Sequence, residues 1–149
     1  MGTKQVSGTR TISAKPEEIF DILADHTRHP ELDGSGTVRG SRRSSTERLE
    51  LGSTFAMDMK MGASYKILNT VVEFEEGRQI AWQHFYGHRW RWELQPLEDG
   101  TTEVTETFDW SNVKKPWVIS LIRAPQRNKR SIESTLDKLQ KRFAAPSES

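Results

Sequence analysis

Apolar and polar positions alternate strictly through the middle of the chain, and both flanks switch to a helical period. Residues 54–61 put Phe55, Met57, Met59 and Met61 on one face and Ala56, Asp58 and Lys60 on the other. Stretches 65–75 and 78–86 follow, divided by a Glu-Glu-Gly-Arg turn, and the second sets Ile80, Trp82, His84 and Tyr86 in phase. Gly87 turns the chain into 88–96, where Trp90, Trp92 and Leu94 alternate with Arg89, Arg91 and Glu93. After the Glu-Asp-Gly turn at 98–100, Val104, Glu106, Phe108 and Trp110 alternate with Glu103, Thr105, Thr107 and Asp109. A period of two with turn residues between runs predicts an antiparallel meander with one covered face.

The flanks read differently. Residues 4–14 carry Val6 and Ile12 among threonines and serines and predict a first strand. Pro16 then opens a helix to Asp25, with Glu17 and Glu18 at its positive end and Ile19, Phe20 and Leu23 as its buried stripe. Pro30 pushes His29 out of the helical region, and Asp33–Gly36 is a turn cluster. At the other end Ile132, Leu136, Leu139 and Phe143 make one apolar stripe on a helix running roughly from Pro125 to Phe143. Trp117, Val118, Leu121 and Ile122 predict a separate short helix before it, and 145–149 a disordered tail. One domain over 1–144 accounts for the whole pattern.

Composition narrows the function classes. The chain of 149 residues is 34% hydrophobic and 29% charged, and no apolar run reaches the length of a membrane span. Met-Gly-Thr-Lys-Gln has no apolar stretch after its lysine, so no signal peptide is expected, and a cytoplasmic location follows. The absence of cysteine excludes disulfides, thiolate nucleophiles and sulfur-based zinc sites. A net charge of +1 and the lack of a reader motif argue against a nucleic-acid partner. No Ser-His-Asp order, P-loop or dinucleotide fingerprint is present, and no cofactor is expected.

Four segments in order, ISAKPEEIFDILAD (12–25), VVEFEEGRQIAW (71–82), WRWELQPLEDGTTEVTETFD (90–109) and ESTLDKLQKRF (133–143), make the chain resemble the START-like, or SRPBCC, superfamily in its polyketide cyclase/dehydrase branch. The resemblance spans nearly the whole chain. It implies an α+β helix-grip fold: a curved seven-stranded antiparallel sheet, two short helices after strand one, and a long C-terminal helix closing a hydrophobic cavity. It implies no activity, because members include lipid carriers, aromatase/cyclases and hormone receptors.

The inward phase nominates the ligand-binding residues: Phe55, Met57, Met59, Met61, Trp82, His84, Tyr86, Trp90, Trp92, Glu106, Phe108, Leu121, Ile132 and Leu136. Aromatics and methionines with a few polar groups suit a small hydrophobic or lipid-like ligand. The same residues equally describe a packed core, since most buried aromatics only pack. Glu106 and His84 are the catalytic candidates. A carboxylate facing an apolar space has a raised pKa, and an imidazole beside it would complete an acid/base pair for a polyketide aromatase/cyclase. A third reading is a non-catalytic protein-interaction module.

His26 with His29, and His84 with His88, invite a metal reading, but Pro30 ends the first turn and no metal is expected. Arg123, Arg127, Lys129 and Arg130 at the start of the last helix make either a mouth for an anionic group or a solvated face, as do Arg39, Arg42 and Arg43. The segment from Leu121 to Arg127 is the expected gate. Monomer and homodimer both stay open.

Overall fold

The computed structural model describes residues 5–25, 38–42, 49–61, 63–84, 87–111, 113 and 124–143, with side chains left aside at 38–42, 57–61, 63–67 and 124–125. The strands are β1 (Gln5–Ile12), β2 (Val38–Arg42), β3 (Thr54–Met61), β4 (Ala63–Glu75), β5 (Gln79–His84), β6 (Arg89–Pro96) and β7 (Thr102–Asp109). They form one antiparallel sheet in the order β1-β7-β6-β5-β4-β3-β2. Strands two to seven are therefore sequential neighbours, and from β3 onward they form the meander that alternation with short turns dictates. The first strand crosses to pair with the last.

Helix α1 (Pro16–Leu23) follows β1 at once. Pro16 takes a first-turn position, where its missing N–H costs nothing, and the Glu18 carboxylate accepts the Lys15 N–H at 3.0 Å. Ile19, Phe20, Ile22 and Leu23 are buried, and Phe20 meets Phe74 edge-on at 5.5 Å. The second expected short helix, the 117–122 helix and the tail lie outside the described residues.

Helix α2 (Ala124–Arg142) lies along β1 and β7. Its stripe of Ile132, Leu136 and Leu139 is fully buried, and Phe143 packs against the same core. Removal of such surface from water contributes about 25 cal/mol per Å². The seat is close because β1 carries Gly8 beneath it: a Cβ there would lie 2.9 Å from Ile132 Cγ2 and Glu133 Oε2 and 3.1 Å from Leu136 Cδ1. Arg10 clamps the next turn through Glu133 at 3.2 Å and Asp137 at 3.5 Å. The Gln140 amide reaches the Thr11 carbonyl at 3.1 Å, so α2 runs in the same direction as β1.

Candidate ligand-binding site

The sheet register stacks the inward residues into rows. One row runs Val6, Phe108, Trp90, Trp82 and Val71 across β1, β7, β6, β5 and β4. The next runs Gly8, Glu106, Trp92, Ile80 and Phe74. Successive side chains point to opposite faces, so both rows lie on the face that α2 covers. Phe108 is the hub of the first row, with ring centroids 4.9 Å from Trp90, 5.6 Å from Trp110 and 5.3 Å from His88. Phe55 on β3 meets Trp82 edge-on at 5.8 Å. The aromatic wall therefore crosses from β7 to β3.

Polar groups sit at one end of this wall. Gly87 adopts φ +107, which only glycine takes without strain, and its N–H donates to the His84 carbonyl at 3.0 Å. The His84 N–H in turn donates to the His88 carbonyl at 3.0 Å, so the turn holds the two histidines side by side, their rings meeting edge-on. Their rings lie 4.1 Å apart, with His84 Nδ1 2.5 Å from His88 Nε2. Burial pushes the His84 pKa down to about 3, helped by the repulsion of His88. Burial also lowers that of His88 to about 4. Both are neutral at physiological pH. Asn69, fully buried, pairs with His84 across β4 and β5 and with Phe55 across β3.

Glu106 is buried at 6% exposure, opposite Gly8 on one side and Trp92 on the other. It does not meet His84. The row of Glu106 reaches β5 at Ile80, two strands away, and His84 lies four residues further on. Strand spacing and rise put the two positions about 16 Å apart. At that separation Glu106 and His84 do not touch, and the side chain beside His84 is that of His88.

The outer face carries a charged network that alternation alone places there but does not connect. Glu73 accepts two hydrogen bonds from Arg91 at 2.8 Å, one from Arg89 at 2.9 Å and one from Gln79 at 2.6 Å. The Arg91 bonds hold the Glu73 carboxyl down at about 2 against the opposing effect of burial. Asp109 accepts from Gln5 at 3.0 Å, from Ser111 at 2.6 and 2.9 Å and from Arg91 at 3.3 Å. Thr107 and Asp109 belong to the polar phase of β7, yet both are buried, and Gln5 and Arg91 hydrogen-bond to the Asp109 carboxylate.

Among the residues nominated from the sequence, the structure brings Phe55, Trp82, Trp90, Phe108 and His84 to one wall and Trp92 and Glu106 to the adjoining row. Ile132 and Leu136 lie above Gly8. Tyr86, Leu121, His26 and His29 fall outside the described residues, as do the side chains of Met57, Met59 and Met61. The nomination missed His88 and Asn69. Counting back by two from Trp90, and from Val71, places both inward, so the signal was present. Among the described residues no group of three metal-ligating side chains converges. An open groove of about 420 Å³ lies at the start of α2, lined by Val6, Gln126, Lys129 and Arg130.

The comparisons with known proteins agree with this architecture. Residues 3–144 match the family model described as polyketide cyclase / dehydrase and lipid transport, and the chain belongs to that family. It is 39% identical over 150 residues to the uncharacterized protein Rv0088 of Mycobacterium tuberculosis, covering 96% of this chain. The chain spans 66% of that relative's length. Among solved structures it is similar to a START superfamily protein from Mycobacterium smegmatis (TM-score 0.67, 20% identity, 93% of this chain and 96% of that one). It is also similar to a polyketide cyclase-like protein from Corynebacterium glutamicum (TM-score 0.63, 16% identity, 96% and 91%). At such identities the likeness shows the fold alone: an α+β, START-like sheet with a C-terminal helix. Among the described residues no helix is long and apolar enough to cross a membrane.

Proposed function

We propose that the protein binds a small hydrophobic or lipid-like molecule in a hollow between the aromatic wall and α2. The observation that carries this reading is the continuous run Phe108, Trp90, Trp82 and Phe55 across the covered face, ending in two neutral histidines. Aromatic area supplies the affinity, since apolar surface leaves water on both partners. Neutral imidazoles supply orientation without the cost of burying a charge. The family's description, which includes lipid transport, supports the same class of ligand.

Tryptophan fluorescence tests this. Titration with fatty acids, sterols and flavonoids is expected to give saturable quenching with no chemical change in the ligand. Absence of a response to every apolar ligand contradicts the reading.

A catalytic reading has one specific observation behind it, the 2.5 Å contact between His84 and His88. Two neutral imidazoles in contact can accept a proton at one end and release one at the other, the requirement of a polyketide aromatase/cyclase. Turnover of a poly-β-ketone that is lost in His84→Phe while ligand binding survives would favour the enzyme.

A further inference from the structure

Trp92 is only 2% exposed, yet its indole N–H is buried with no hydrogen-bond partner. An indole nitrogen is a donor only, and folded proteins seldom leave a buried donor unused. Its neighbours in the row, Glu106 and Ile80, place the ring on the covered face of β6.

Four residues earlier, immediately before β6, stands His88, whose ring packs on Phe108, a member of the inward row. Its Nε2 is engaged with His84, but its Nδ1 is buried without a partner. Whichever nitrogen carries the shared proton, a neutral pair leaves one donor and one acceptor at its two outer nitrogens. Between these sites the wall presents the rings of Trp90 and Phe108, whose centroids lie 4.9 Å apart. Four residues at a strand's rise separate His88 from Trp92 by about 13 Å.

The geometry points to a ligand that is elongated, flat and apolar with an oxygen at each end, one accepting from Trp92 Nε1–H and the other exchanging hydrogen bonds with the His84–His88 pair. This rests on the binding function proposed above and narrows its ligand class. A fatty acid, with oxygen at one end, satisfies only half of the wall.

Calorimetric titration with trans-stilbene, 4-hydroxystilbene and 4,4′-dihydroxystilbene tests it, because the three share one apolar frame. On the wild-type protein each hydroxyl is expected to tighten binding, roughly tenfold per step for a hydrogen bond that fills a vacant partner. Trp92→Phe and His88→Phe should each reduce the advantage of the diol over the parent by one such step. Equal affinities for all three on the wild-type protein overturn the inference, with ordered water then filling both sites, while the binding function stands. Binding of a fatty acid but of no stilbene also overturns it and spares the binding function. No binding of any apolar molecule removes both.

Discussion

Gly8 on β1 lies opposite Glu106 on β7, so a residue with no side chain sits beside a buried carboxylate directly under α2. The pairing sets how near the helix approaches the sheet. A larger residue in the first strand would lift α2 off the very row that holds Glu106 and Trp92.

Gly8→Val therefore is expected to destabilise the fold by about 2 kcal/mol through overpacking against Ile132 and Leu136. Urea denaturation gives the figure. A change under about 0.5 kcal/mol, the range of an ordinary surface substitution, would mean that α2 is not seated on this glycine.

The histidine pair predicts a stability loss on mild acidification. In the unfolded chain both imidazoles titrate near 6.5, whereas folding lowers them to about 3 and about 4. Between these values the unfolded state binds more protons, so stability falls as pH drops below 6.5, on the order of 2 kcal/mol per histidine and about 4 kcal/mol for the pair by pH 5. Thermal melts from pH 7.5 to 5 should show a declining midpoint, and His84→Gln should flatten it. A midpoint independent of pH in the wild-type protein contradicts a buried neutral pair.

Glu73 acts in a lower window. Its carboxyl is depressed from 4.5 to about 2, chiefly by Arg91, so its contribution is complete above pH 4.5 and is lost as pH falls towards 2. Arg91→Met removes the cation shared by Glu73 and Asp109 and is expected to cost about 2 kcal/mol at pH 7, moderated by partial exposure of the pair. Chemical denaturation at pH 7 and pH 3 measures both effects. An Arg91→Met protein with wild-type stability at pH 7 would show that the network is ornamental.

Much of this was legible in the sequence. The period-two runs placed Trp82, Trp92, Phe108 and Val104 on the covered face, and the stripe of Ile132, Leu136 and Leu139 placed α2 over it. Relations across strands were not. Periodicity says which face Glu106 and His84 share, but register decides their separation, and register depends on turn geometry and on the bulge between Val71 and Glu73. The contact of His84 with His88 likewise follows from the left-handed Gly87, which closes the turn between them. Alternation put Asp109 on the polar phase and gave no sign of its burial, because Gln5, which bonds to it, lies more than a hundred residues away in the chain.

The most direct test of the account is the indole N–H region of a ¹H–¹⁵N spectrum recorded while a tightly bound apolar ligand is added. The signals of Trp82, Trp90 and Trp92 are expected to shift together and saturate with the calorimetric affinity. Saturable binding that leaves those three unmoved, while amides on the outer face of the sheet shift, would place the ligand elsewhere and contradict an interior site.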